Sequence, residues 1–393
     1  MFFEPAHAQL GQELAERVRE GDRGLSSPLH AGARLAELGL FELLVPPKLG
    51  GRGMSNPGAV DVRALCLARE RLAYVSPVAD AVFAVQGLGS YPVVMTPTAP
   101  RRGDFLHEVM CGERIGGFAL TEPEAGSDVA SLRARAVRDG EGWLLDGDKV
   151  FISNVGIAHH FIVFAHAEGI GAVSRSTMPS AKKEAEKPKR TISAFLVDAR
   201  SPGLTLEPMH TIGDHPVGRL TMRGCRIPKD ALLDEVGNGL RLALGTLDVF
   251  RTSVGAAAVG MARRAIDESL DRVAVREQFG RRLSEFQLTQ AALADMATEL
   301  DAARLLVYRA AWLKDHGENA AAQVAMAKLY ATEAAQRIID RAVQLHGGLG
   351  VMKGSVVEML YREIRPLRIY EGTSEIQKLI IGAGLVKERE ASV

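Results

Sequence analysis

The chain has 393 residues, enough for two or three domains around a large core, and its 48 basic and 48 acidic residues give a formal net charge of +0. That balance excludes a nucleic-acid binder that works by bulk charge. Cys66, Cys111 and Cys225 lie far apart, so no CxxC metal or redox spacing exists.

Up to about Gly116 the chain reads as helical. Leu10, Leu14 and Val18, then Leu35 and Leu38, recur at helical spacing. Pro46-Pro47 and Gly50-Gly51 break the pattern, and Pro57 is placed to open the next helix. From about Phe118 to Pro228 short β-leaning runs take over: Trp143-Leu144-Leu145, Phe161 to Phe164, Ala194 to Val197. Asp139-Gly140 and Asp146-Gly147 are turn signals between them. Ser174 to Arg190 is strongly charged and nearly free of apolar residues, which predicts a solvated surface loop.

From about Gly237 helices return. Ser284-Glu285-Phe286-Gln287 fits a capping box, an apolar stripe from Phe286 to Ala310 follows, and Gly317 is the stop. Val324 to Leu345 repeats the stripe before Gly347-Gly348. With a helix from about Leu240 to Val275 and another after Glu371, this predicts a bundle. The fold class is therefore α+β. An N-terminal α-helical domain (1–117) leads to a middle antiparallel β-barrel or sandwich domain (118–230) and a C-terminal four-helix bundle (231–393).

No GxGxxG follows a strand, and neither HExxH nor GxSxG occurs, so Rossmann, zincin and α/β-hydrolase chemistry are excluded. His159-His160 has no ligand-spaced partner and reads as a structural pair; no metal is expected. No apolar run approaches the roughly 18 residues of a membrane span. The start Met1-Phe2-Phe3-Glu4-Pro5 lacks signal-peptide character. Unpaired cysteines suit a reducing compartment, and the expectation is a cytoplasmic protein with no membrane or nucleic-acid partner.

Two segments carry chemistry. In Ile369-Tyr370-Glu371-Gly372-Thr373-Ser374-Glu375-Ile376-Gln377 an acidic side chain precedes a glycine and a Thr/Ser pair able to cap the helix that follows. A carboxylate at such an opening is placed to act as a base; the bland alternative is a surface Glu in a turn. Thr121-Glu122-Pro123-Glu124-Ala125-Gly126-Ser127-Asp128 is loop chemistry.

Together these segments resemble the signature pair of the acyl-CoA dehydrogenase family. Leu49-Gly50-Gly51-Arg52-Gly53, Lys149 to Asn154, Arg276-Glu277-Gln278-Phe279-Gly280 and Gln344 to Gly348 fall in family order, so the resemblance covers nearly the whole chain. It implies FAD held between the β domain and the bundle. Phe118, Leu120 and Thr121 would line the isoalloxazine. Phe151 stands where Trp is usual and Ser153 where Thr is usual, near flavin N5. Thr373 and Glu375, the latter in place of a common Gln, would reach the adenosine side. Arg276, Gln278, Phe286, Gln287, Gln344, Gly347 and Gly348 match positions that hold the FAD of a neighbouring subunit. This implies a homotetramer built from dimers. Without the motif, Arg276 would be a surface charge at a helix C-terminus.

The reaction implied is α,β-dehydrogenation of an acyl-CoA, with electron-transfer flavoprotein as acceptor, in fatty acid or amino acid catabolism. Glu371 removes the α-proton, the β-hydride goes to flavin N5, and a trans-2-enoyl thioester results. The family's alternative base position is Phe250, which cannot take a proton. Ser127, shared with the cofactor site, and Asp248 and Arg251 match positions on the CoA arm, and Gly372 contacts the thioester. Asp248 and Arg251, three apart on a helix, could instead pair with each other. Asp80 falls where the family lines the acyl tail, so an unpaired Asp80 would favour a polar acyl group. Its structural alternative is a solvent-side aspartate or a partner for Arg71. Competing readings are an oxidase or monooxygenase on the same fold, a carrier-protein thioester substrate, and a non-catalytic assembly factor.

Overall fold

Asp61 and Ser76 show how the N-terminal helices begin. Asp61 Oδ1 accepts from the Ala64 N–H at 2.9 Å, and Ser76 Oγ from the Ala79 N–H at 3.2 Å. Each side chain satisfies one of the backbone donors that a helix start leaves free. The structure, a computed structural model, describes residues 2–167 and 192–391. The charged segment 174–190 lies outside the described residues. Helices α1 (Pro5–Arg17), α2 (Arg23–Ser26), α3 (Pro28–Glu37), α4 (Val62–Val75), α5 (Pro77–Val94) and α6 (Arg102–Met110) form the first layer. Pro57 opens no helix: α4 starts at Val62, behind the Asp61 cap. α5 is apolar on nearly every side and buried on nearly every side, as a core helix must be.

The middle region is one sheet of β1 (Gly116–Ala119), β2 (Arg135–Asp139), β3 (Gly142–Ser153), β4 (His160–Ala167), β5 (Ile192–Asp198), β6 (Leu204–Met209), β7 (Val217–Pro228) and β8 (Leu232–Leu233). The strand order is β6-β7-β3-β2-β4-β5-β8, with β1 on β4. Most pairs are antiparallel, but β4 pairs in parallel with both β1 and β2. A parallel pair needs a long crossover, and the chain between β1 and β4, which includes a hairpin, supplies it. Asp139-Gly140 closes the β2–β3 hairpin as expected. Asp146-Gly147 does not turn the chain: it lies inside β3 as a bulge opposite β7, a second setting in which strands use glycine.

α5 rests directly on this sheet. A Cβ added to Gly89 would sit 2.8 Å from Gly116 and Gly117 backbone atoms, so glycine permits the contact. There the buried His160 ring donates from Nε2 to the Gly89 carbonyl at 2.9 Å. The pair is structural, as the sequence suggests. Burial, the main cause, pushes the His160 pKa down to about 4. The imidazole stays neutral in the fold while the unfolded chain takes a proton near its ordinary value. Stability therefore falls as pH drops from about 6.5 toward 4, by roughly 3 kcal/mol. His160→Gln is expected to flatten that part of the stability-against-pH curve, measured by denaturant midpoints; an unchanged slope would remove His160 as its source.

The C-terminal region holds α7 (Gly239–Val275), the small hairpin β9 (Glu277–Gln278) and β10 (Arg281–Arg282), α8 (Gln287–Asp315), α9 (Ala321–His346), α10 (Val356–Leu367) and α11 (Ser374–Ala391). Ala256, Ala257 and Ala258 of α7 share one core with Ala327, Ala331 and Ala334 of α9, and a Cβ on Gly255 would lie 3.4 Å from the Ala327 carbonyl oxygen, so small residues bring these helix axes close. Contrary to the sequence expectation, α7 is long and apolar enough to cross a membrane, but 67% of its most apolar window is buried inside the protein. The capping box at Ser284 does not form. The hairpin and a 3-10 turn (Leu283–Glu285) occupy that stretch, Glu285 accepts from the Arg282 N–H, and α8 starts at Gln287. Gly317, at φ 73°, does end α8.

Candidate active site

Glu371 lies in the connection between α10 and α11. Thr373 Oγ1 accepts from the Ile376 N–H at 3.4 Å, so the Thr/Ser pair opens α11 as read. Glu371 has φ 52° and Gly372 φ 93°. Glycine takes a left-handed conformation freely, whereas Glu371 does so at a cost of about 1 kcal/mol. The main chain is clamped there. Arg251 Nε donates to the Glu371 carbonyl at 2.9 Å, Gln377 Nε2 to the Gly372 carbonyl at 2.9 Å, and Lys328 Nζ to the same Gly372 oxygen at 2.8 Å.

The carboxylate is thus held by its backbone and left free at its tip. Part of the residue reaches solvent, yet Oε2 is buried with no hydrogen-bond partner. Burial raises the Glu371 pKa, while Arg69, Arg251 and Lys328 pull it down and Asp80 adds to the rise. Burial likewise lowers Lys328 to about 8. A partly desolvated carboxylate with a vacant lone pair suits proton abstraction. Phe250, one residue before Arg251, is 1% exposed, with its ring 5.7 Å from that of Tyr91.

Asp80 is neither on the solvent side of α5 nor paired with Arg71. It is 1% exposed, and Arg69 of α4 grips both its oxygens, at 2.8 and 2.9 Å. Arg71 donates instead to the Val18 carbonyl. Asp80 is therefore not the unpaired carboxylate that the acyl-group argument required. Arg69 carries no motif that marks it in the sequence, although it falls at helical spacing with Leu65 and Leu72 on the buried face of α4. Asp248 and Arg251 do not pair either: Asp248 meets Lys314, and Arg251 holds the Glu371 loop.

The structure brings the two segments of the proposed flavin wall together. Thr121 accepts through its carbonyl from the Val150 N–H at 3.0 Å, which ties the chain after β1 to β3. Phe118 is half-buried with its ring 4.9 Å from Phe164, Leu120 is buried, and Thr121 and Ser153 are half-buried. Phe151 is 64% exposed, on a backbone with φ 58°. Behind this wall Glu122, buried, accepts from Lys149 Nζ at 2.7 Å and from the Ala134 N–H at 3.0 Å. Ser127 is exposed on the following turn.

The remaining predicted residues form separate surfaces. Arg276, Gln278 and Gln287 are exposed and Phe286 is half-buried around the β9–β10 hairpin, whose tip carries Phe279 at 94% exposure. Gln344, Gly347 and Gly348 are exposed at the end of α9, and a Cβ on either glycine would meet nothing within 4 Å. Thr373 is half-buried and Glu375 exposed at the start of α11. Among the described residues none of the hydrogen bonds of Arg276 to Gln287 or Gln344 to Gly348 reaches the Phe118–Ser153 wall, and Arg276 makes no salt bridge. The exposed Phe151 ring beside the Ser153 hydroxyl suits a flat ring system, and on the separate surfaces the Arg276 guanidinium and the open glycines suit a phosphate group.

One cluster, His7, Asp61 and Asp315, has the spacing of a metal site. Its carboxylates are already taken: Asp61 by His7, Ser55 and the backbone N–H groups of Met54, Ser55 and Ala64, and Asp315 by Arg63 and the Val62 N–H. It ties α1, α4 and α8 together.

Residues 1–113, 117–225 and 237–386 match the acyl-CoA dehydrogenase N-terminal, middle and C-terminal domain families. The caffeyl-CoA reductase-Etf complex subunit CarC of Acetobacterium woodii is 35% identical over 387 residues, 98% of this chain and 96% of that protein. Butyryl-CoA dehydrogenase from Megasphaera elsdenii superposes with a TM-score of 0.85 at 28% identity, covering 98% of this chain and 99% of that one. A glutaryl-CoA dehydrogenase from Mycobacterium smegmatis in complex with FADH2 has a TM-score of 0.83 at 25% identity, covering 98% of this chain and 95% of that one.

Proposed function

The chain belongs to the acyl-CoA dehydrogenase family and is an oxidoreductase, and from that premise we propose that it converts an acyl-CoA thioester to the trans-2-enoyl-CoA, with Glu371 abstracting the α-proton. The observation that carries this reading is the buried, unpartnered Glu371 Oε2 on a clamped left-handed loop. The α-proton is weakly acidic, so charge developing on the thioester oxygen needs preorganised donors, and the Glu371 backbone N–H is the proposed one. Gly372 lies against the thioester, with Ser127, Asp248 and Arg251 along the CoA arm. Asp80, already gripped by Arg69, lies beyond the base toward the acyl end.

Phe118, Leu120, Thr121, Phe151 and Ser153 would hold the ring of FAD, with Ser127, Thr373 and Glu375 along the rest of it. FAD, when bound, supplies the acceptor for the β-hydride. Arg276, Gln278, Phe286, Gln287, Gln344, Gly347 and Gly348 would hold the FAD of a neighbouring subunit, in a homotetramer built from dimers. The exposed Val275, Phe279 and Leu288 beside Arg276 support such a contact. An Etf-complex subunit among the relatives supports electron-transfer flavoprotein as the electron acceptor. The three unpaired cysteines support a reducing, cytoplasmic setting.

The test is a panel of acyl-CoAs scored by anaerobic bleaching of the flavin. Since one relative is named a reductase, enoyl-CoAs are added to reduced enzyme as well. Bleaching by an acyl-CoA is the expected result. Bleaching by carrier-protein thioesters alone would replace the substrate class, and rapid reoxidation by oxygen would point to an oxidase. A colourless, flavin-free preparation would point to a non-catalytic assembly factor. The purified protein is expected to be yellow and to elute as an oligomer; a flavin-saturated monomer on a sizing column would overturn the cross-subunit assignment.

A further inference from the structure

The ion pair between Arg69 and Asp80 has no place in the reaction above, yet it is among the most deeply buried charge pairs in the molecule. The two side chains are 1% and 2% exposed. Arg69 spends Nε and Nη2 on the two Asp80 oxygens and Nη1 on Ser253 Oγ at 3.1 Å. Ser253 in turn donates to the Phe250 carbonyl at 2.7 Å. The pair therefore pins α4 and α5 to the turn of α7 that carries Arg251, and Arg251 holds the Glu371 carbonyl. Stability is a weak reason for such a pair. Well-packed apolar residues in place of a buried ion pair are often neutral or stabilising.

We propose that Arg69 and Asp80 are positioning residues for Glu371: a charge-neutral couple that fixes the α7 anchor of the base loop and balances the charge the base faces. This rests on Glu371 being the base. Facing Glu371 are Arg69 from α4, Asp80 from α5, Arg251 from α7 and Lys328 from α9, with Tyr370 beside it in the chain. Glu333 and Glu375 face Lys328, and His215, before β7, faces Asp80. Three cations and one anion act directly on the carboxylate. Asp80 offsets part of their pull, and Arg69 holds both Asp80 oxygens in a dry site.

The signs follow. Asp80→Asn leaves the Arg69 cation without its counter-charge, so Glu371 ionises at lower pH. Arg69→Met removes one of the cations that pull on Glu371, so it ionises at higher pH. Charges interacting through an effective dielectric of about 20 make each shift at least about half a pH unit. Two readouts measure it. One is infrared titration of the Glu371 carboxyl band, assigned by its loss in Glu371→Gln. The other is the acid limb of kcat/KM on the flavin-loaded enzyme, with butyryl-CoA as probe.

Opposite shifts in the two variants are expected in both readouts. Should a single variant fail to accumulate, Asp80→Asn with Arg69→Lys keeps a cation without its counter-charge, and the downward shift is still required. Unmoved midpoints in variants that fold and bind flavin, with Glu371→Gln inactive, would overturn the proposal and leave the pair a plain tie between helices. A changed ranking of butyryl-, hexanoyl- and hydroxyacyl-CoA without a midpoint shift would also overturn it, in favour of acyl-group reading by Asp80. An active Glu371→Gln would instead overturn the assignment of the base itself.

Discussion

Glu371→Gln is expected to lose flavin reduction by thioester roughly 100-fold or more while FAD stays bound. The amide is nearly isosteric with the carboxylate but cannot accept the α-proton. The loop should keep its shape, because Arg251, Gln377 and Lys328 hold main-chain carbonyls and not the side chain. A neutral amide also suits the buried position that raises the carboxyl pKa. The same burial sets the pH dependence of the wild-type enzyme. The base works when deprotonated, so kcat/KM should fall as pH drops through a value above the ordinary carboxylate range. Thermal unfolding and the flavin spectrum check that the variant is folded and loaded. Activity within a few-fold of wild type would mean that another group takes the proton.

The second large effect concerns stability. Glu122→Ala should destabilise the protein by about 3–5 kcal/mol, the usual cost of removing one partner of a buried ion pair. Lys149 would keep only the Leu120 carbonyl, at 3.1 Å, and the Ala134 N–H would lose its acceptor. Burial already lowers Lys149 to about 8 with Glu122 present. Without that partner the amine should shed its proton at lower pH still, so the loss should shrink as pH rises. Flavin affinity should fall too, because Glu122 follows Thr121 directly and Lys149 precedes Val150, which donates to Thr121. Denaturant midpoints of Glu122→Ala and of Glu122→Ala with Lys149→Met are the measurement, and the double variant should recover part of the loss. A loss below about 1 kcal/mol in the single variant would show that the hub carries little of the fold.

Sequence by itself determined the features that rest on local chemistry and spacing. The helix/strand/helix order follows from apolar period, and the Asp139-Gly140 hairpin from turn propensity. Thr373 and Ser374 announced the start of α11, and with it the loop that presents Glu371. The resemblance puts the family's other base position at Phe250, and phenylalanine cannot take a proton. Where local rules failed, a longer-range contact decided. Asp146-Gly147 has turn chemistry, but pairing with β7 draws it into a bulge. Ser284 to Gln287 has the letters of a capping box, but the β9–β10 hairpin delays α8 beyond it.

Tertiary structure alone decided the electrostatics of the site. Charge partners are chosen by which helix faces meet, and one sequence does not state that. Asp80 found Arg69 on the preceding helix, Asp248 found Lys314 on α8, and Arg251 reached across 120 residues to the Glu371 carbonyl. The left-handed backbone at Glu371 is likewise invisible in sequence, since only Gly372 advertises it. It persists because three side chains from α7, α9 and α11 hold the two carbonyls of that turn, and those side chains converge only when the bundle is packed.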